Sequence, residues 1–206
     1  METILIDTGD GGVCPGTVPD GLDHIDPIKR ALKSIDRYYI SHLVVSHWHC
    51  DHFGGLLPLL SDQGQPQIHS IYHRGLLLRN GVSLQEIDNI DSAQPYRESK
   101  MNAEIIAAHP DLKSVFAGDA IRLQTGRGWT ARLEVLASGG QTIADDKPSY
   151  ECKDAGTLEN SNSVAVLFSF KFDSTEEFTY FDPGDLTCPV SRRAGRLFRE
   201  TQDHCV

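Results

Sequence analysis

Three histidines and one aspartate fall within residues 47–52, in the run Ser46-His47-Trp48-His49-Cys50-Asp51-His52-Phe53-Gly54-Gly55. The run follows Leu43-Val44-Val45, a short apolar, β-branched stretch that reads as a buried strand end. His47 and His49 are two positions apart, so they point the same way if strand geometry persists. Asp51 and His52 follow, where Gly54-Gly55 lets the backbone turn. Imidazole nitrogen and carboxylate oxygen suit zinc and similar divalent metals. Four such donors at the end of one strand come close to a dinuclear metal site. The alternative is a solvated loop that is rich in histidine, and the clustered spacing argues against it. Cys50 should point away from His49 on a continuing strand, which makes it a small apolar filler.

The 206 residues are 39% hydrophobic and 23% charged, enough for one sizeable core and a single domain over 1–206. The net charge of −10 does not favour electrostatic binding of polyanions. It argues only weakly, because a bound metal pair would invert the local field. No apolar run is long enough to span a membrane. The start, Met-Glu-Thr-Ile-Leu-Ile-Asp, lacks the basic and apolar segments of a secretory signal. Cysteines stand at 14, 50, 152, 188 and 205, an odd count with no C-x-x-C. That argues against a disulfide framework and for a reducing compartment, with a cytoplasmic location expected.

Thr3-Ile4-Leu5-Ile6 reads as a strand ended by the Gly-rich turn Asp7-Thr8-Gly9-Asp10-Gly11-Gly12. Asp7 is either a turn carboxylate or a group that orients a metal-bound histidine. Asp26-Pro27 opens a helix, with Asp26 as N-cap and an apolar face of Ile28, Ala31, Leu32 and Ile35. Residues 56–60 read as a short helix and 68–72 as the next strand. His24, His42, His69, His73 and His109 read as surface or structural histidines. Residues 75–87 give short pieces and 100–108 a helix stopped before Pro110. From Ala117 the pattern turns to strands, at 120–123, 130–136, 164–170 and 178–181, with a long polar loop over 138–156. Glu176-Glu177 is placed in a hairpin turn. Residues 191–201 read as a basic amphipathic helix with a solvated face.

Taken in order, Ile4-Leu5-Ile6-Asp7-Thr8-Gly9, the H-x-H-x-D-H of 47–52 with Gly54-Gly55, and Phe181-Asp182-Pro183-Gly184-Asp185 resemble the metallo-β-lactamase superfamily. The resemblance implies an α/β (α+β) fold, the four-layer αβ/βα sandwich. It implies that His47 and His49 bind a first metal, Asp51 and His52 a second, and that Asp185 bridges the two. Two zinc ions per chain are expected, with manganese or iron as alternatives. Asn160-x-x-Ser163 before a strand and Gly-Asp resembles the ComEC-type competence branch and its stand-alone relatives. There an asparagine stands near the place of the third first-site histidine, and here no histidine occurs between 110 and 203. Asn160, or Asn162, would be a weak ligand or hydrogen-bond a metal water, with Ser163 beside it; the other reading is a simple turn. Against the family pattern the chain reads as shortened at both ends, without an early strand and without a last His ligand.

The chemistry implied is hydrolysis by a metal-bridging hydroxide, with Asp51 both binding metal and orienting the attacking water. The substrate expected is a phosphodiester, whether a small molecule, a nucleotide or nucleic acid. The alternatives are a thioester, lactone or lactam hydrolase of the same fold, and a truncated domain that binds metal without catalysis. The double substitution His47→Ala, His49→Ala is expected to abolish zinc retention through gel filtration, read by elemental analysis of the purified protein.

Overall fold

A computed structural model describes residues 2–10, 25–61, 66–74, 109, 112–139, 141–143, 160, 163–172 and 176–186. The expected pieces at 75–87, the helix at 100–108 and the helix at 191–201 lie outside the described residues, as do most of the loop at 138–156 and His24. The chain divides into two compact units, residues 2–114 and residues 115–206.

The first unit contains β1 (Ile4–Ile6), α1 (Asp26–Ser34), β2 (Tyr39–Ile40), β3 (His42–Val45), α2 (Cys50–Phe53), α3 (Leu56–Ser61), β4 (Gln67–Ile68), β5 (Ile71–His73) and β6 (Leu112–Ser114). Four of these strands form a sheet in the order β1-β3-β5-β6, with every pair parallel. The register puts Leu5, Leu43, Ile71 and Leu112 side by side on one face. That face is the core, where Leu43, Val45 and Ile71 pack with Leu32 of α1, Phe53 of α2, Leu56 of α3 and Trp48. Thr3 ties the start of the chain to this sheet through paired bonds with Ser41.

Two details differ from the sequence expectation. Residues 68–72 do not form one strand. The chain leaves β4, which pairs with β2, and enters β5, which pairs with β3. Backbone bonds from His69 to Ile40 and from Leu43 to Ser70 hold this step between the two sheets. Helix α1 starts one residue earlier than expected, with Ile25 at the N-cap and no side-chain cap. Asp26 instead lies in the first turn, where it pairs with Arg30 at 2.9 Å and faces the positive end of the helix. Ile35, expected on the apolar face, is 53% exposed because the helix has ended and its N–H caps Leu32.

The second unit is antiparallel: β7 (Ala120–Ile121), β8 (Trp129–Ser138), β9 (Gln141–Thr142), β10 (Ala165–Phe172) and β11 (Glu176–Asp182). Leu133, Val135 and Val166 are buried on one face of this sheet, consistent with alternation along β8 and β10. Further along the same face the rings of Trp129 and Phe170 stack at 5.8 Å. Glu176 and Glu177 belong to β11 rather than to a turn, paired with Phe172 and Lys171. The whole is the mixed α/β class expected, with several sheets and few helices. No helix among the described residues is long and apolar enough to cross a membrane.

Removing the Phe53 ring, which is fully buried in the first core, is expected to cost about 3–5 kcal/mol as Phe53→Ala. By contrast Ser163 is fully buried, and its Oγ has no hydrogen-bond partner among the described residues. Ser163→Ala should therefore leave stability unchanged or raise it by about 1 kcal/mol. Denaturant unfolding of the two variants measures both.

Candidate metal centre

Strand β3 stops at Val45, so the ladder does not carry His47 and His49. They are nevertheless held together, because Trp48 between them is an anchor. Its indole is buried against Phe53 and His73, with ring centroids 5.5 and 5.4 Å away. With Trp48 directed into the core, the rings of His47 and His49 meet edge to face at 4.7 Å. His47 Nε2 and His49 Nδ1 are 3.0 Å apart. His49 stays extended (φ −79°, ψ 143°) as the N-cap of α2. The single turn of α2 then brings the His52 ring to 4.1 Å from His47. A nitrogen of each of these two lies within 4.8 Å of the other.

Two nitrogens bound to one tetrahedral zinc are about 3.4 Å apart, given bonds of about 2.0–2.1 Å. The facing atoms of His47 and His49 are close to that spacing, so the donor set fits a divalent metal at this point. Asp51, in the first turn of α2, has a side chain 66% exposed, and its Oδ2 is 3.8 Å from His52 Nε2. It is thus open to solvent beside the histidines.

Asp7 reaches beyond its own turn, to Ser46 and His52. Its backbone is left-handed (φ 57°), which an aspartate tolerates better than most residues. Its N–H bonds to Val44 O at 2.9 Å. Its Oδ2 accepts from His52 Nδ1 at 2.8 Å, which leaves Nε2 of that ring for a ligand. The loop after β1 also grips the backbone of His52. Thr8 N, Gly9 N and Thr8 Oγ1 all donate to His52 O, at 2.6, 3.1 and 3.1 Å.

The two glycines form the turn between α2 and α3, as expected, and they also make room for this approach. Gly54 has ordinary helical angles (φ −57°, ψ −33°) that any residue can adopt. A Cβ there would collide with Asp10 O and Cys50 O, and one on Gly55 would stand 2.5 Å from Thr8 O. Cys50 is buried in the core cluster, but it is disulfide-bonded, which corrects its reading as a plain apolar filler. Its partner lies outside the described residues.

Asp185, Asn160 and Ser163 belong to the second unit. Asp185 is half-buried and follows a turn in which Gly184 (φ 55°) donates its N–H to Asp182 Oδ1 at 2.9 Å. Tyr180 donates to Asp182 Oδ2 at 3.3 Å. Partial burial, and then the Asp182 charge and hydrogen bond, raise the Tyr180 phenol above its ordinary pKa. Ser163 N bonds back to Asn160 O at 3.1 Å, closing a short turn before β10. Two other histidines among the described residues have structural surroundings. His69 stacks on Tyr39 at 5.1 Å, and His42 stands between Glu2 and Tyr72. The spacing of the motif gave no reason to single out Ser46, yet it touches Asp7, His47 and His52.

The sequence model of the metallo-beta-lactamase superfamily matches residues 1–139. No curated protein matches the chain.

Gly55→Ala is expected to lower stability by about 1–3 kcal/mol through the clash with Thr8 O, and to weaken zinc binding with it. Chemical unfolding and a chelator competition measure the two effects. Asp182→Asn should bring the Tyr180 pKa down toward its ordinary value, read by ultraviolet titration of tyrosinate.

Proposed function

The chain belongs to the metallo-β-lactamase superfamily, and on that premise we propose that it is a metal-dependent hydrolase of phosphodiester bonds. The observation that carries the metal dependence is the convergence of His47 Nε2 and His49 Nδ1 at 3.0 Å, beside a His52 whose Nδ1 is bonded to Asp7; the phosphodiester substrate rests on the Asn160-x-x-Ser163 resemblance. His47 and His49 would hold a first metal and His52 and Asp51 a second. Asp185 is proposed as the bridging ligand on the sequence resemblance. The metal proposed is zinc, two ions per chain. Bound there, divalent metal makes hydroxide available near neutral pH and offsets charge developing on substrate oxygens.

The chain's own residues do the rest. Asp51, exposed beside His52, accepts a hydrogen bond from the attacking water and orients it. Trp48 keeps the two histidines of the first site from turning apart. Asn160 and Ser163 are proposed to lie along the substrate or metal water; this proposal and the absence of histidine between 110 and 203 support membership of the ComEC-type branch. The αβ/βα sandwich and the single domain over 1–206 are proposed on family membership. A cytoplasmic location rests on the odd cysteine count, and the bond at Cys50 weighs against a reducing compartment.

A second reading is favoured by the net charge of −10: hydrolysis of an uncharged thioester, lactone or lactam in the same site. The test is turnover of bis(4-nitrophenyl) phosphate, a lactone and a thioester by the purified chain loaded with zinc or manganese. Phosphodiester turnover alone is expected. Activity on an oligonucleotide should then fall steeply with added salt. A lactone or thioester preference with a flat salt response supports the second reading, and no turnover of any substrate leaves a domain that binds metal only.

A further inference from the structure

We propose that Ser46 is a positioning residue that sets the tautomer of His47, and that with Asp7 it turns the Nε2 lone pairs of both His47 and His52 toward the metal. This rests on the metal-centre reading above. The inference follows from counting protons across four short contacts. An ionised carboxylate only accepts, and a serine hydroxyl has a single proton. Asp7 Oδ1 accepts from the Ser46 N–H at 2.7 Å. Asp7 Oδ2 is 2.6 Å from Ser46 Oγ, so the serine proton is committed to the carboxylate. Ser46 Oγ is also 3.0 Å from His47 Nδ1. With its proton spent, the oxygen there can only accept, so His47 must carry its proton on Nδ1. Its Nε2 is left as a lone pair, and this is the atom that faces His49. On the other ring, His52 Nδ1 lies 2.8 Å from Asp7 Oδ2. The same rule puts the proton on Nδ1 and the lone pair on Nε2.

One carboxylate and one hydroxyl therefore fix two imidazoles, one from each half of the proposed metal pair. Ser46 is fully buried, so water does not offer its hydroxyl a competing partner. Its hydroxyl is also 3.5 Å from His52 Nδ1, at the edge of bonding and longer than the Asp7 contact. The hydroxyl's primary charge is accordingly His47. A threonine keeps the hydroxyl and an alanine removes it with little change in volume.

The test uses the full chain labelled with nitrogen-15, metal-free, with imidazole tautomers read from long-range proton–nitrogen spectra. In the wild type both His47 and His52 are expected as the Nδ1–H form. Ser46→Ala should release His47 to the Nε2–H form while His52, still held by Asp7, keeps its proton on Nδ1. Zinc affinity, from competition with a chelator, should fall about 10–100-fold. Ser46→Thr should restore both the tautomer and the affinity. A wild-type His47 with its proton on Nε2 overturns the proposal without need of any variant. So does a Ser46→Ala chain with an unchanged His47 tautomer and unchanged zinc affinity. Nδ1–H tautomers on both rings of a wild type that takes up no zinc support the tautomer assignment and sink the metal reading instead.

Discussion

Three donors converge on the carboxylate of Asp7: the backbone and hydroxyl of Ser46 and the imidazole of His52. The bonds are 2.6–2.8 Å long, in the range of charge-assisted ones. Much of the first unit serves to put that carboxylate there. Pairing of β1 with β3 brings the end of β1 beside the end of β3. The left-handed backbone at Asp7 then ends the strand and turns the chain back over α2. A non-glycine residue in that region costs free energy that must be offset by its surroundings, and the bonds to Ser46 and His52 are the offset.

The histidines are held from two sides. From below, Trp48 fixes the chain by burying a large ring in the core, next to Phe53 and His73. From above, the loop after β1 clamps the His52 carbonyl with three donors. The support from above needs Gly54 and Gly55, because a methyl group at either would push the loop away. Apolar burial thus supplies the rigidity, and a small set of polar contacts supplies the direction of each ring.

Much of this was legible in the sequence where a single local pattern decides the outcome. The apolar run before the motif, the alternation along β8 and the hairpin of β10 with β11 follow from side-chain periodicity alone. The grouping of His47 with His49 was legible too, though for a different reason: the strand ends at Val45, and burial of Trp48 does what the ladder was expected to do. The choice between two roles for Asp7 was not legible, since it depends on a partner 45 positions away. Ser46 is hidden for the same reason, because a serine before a histidine has no meaning until Asp7 lies next to it. The turn at Gly54-Gly55 was legible, but its second reason was not, because local sequence cannot distinguish freedom of φ from lack of room for a Cβ. The N-cap of α1 is Ile25 instead of Asp26, and the Asp26 carboxylate pairs with Arg30, one turn on.

The long separation between Asp7 and His52 has a thermodynamic consequence. Residues 47–52 alone hold the histidines in sequence, but the orienting bonds exist only after β1 has docked. An unfolded chain would offer the same nitrogens without their fixed tautomers, and so would bind a metal more weakly. Whatever free energy separates the two affinities appears as added resistance to unfolding, at most about 2.7 kcal/mol when free metal is a hundredfold above its dissociation constant, and less by whatever the unfolded chain binds. The melting temperature of this chain is therefore itself a gauge of occupancy, and different divalent ions can be ranked by it before any substrate has been found.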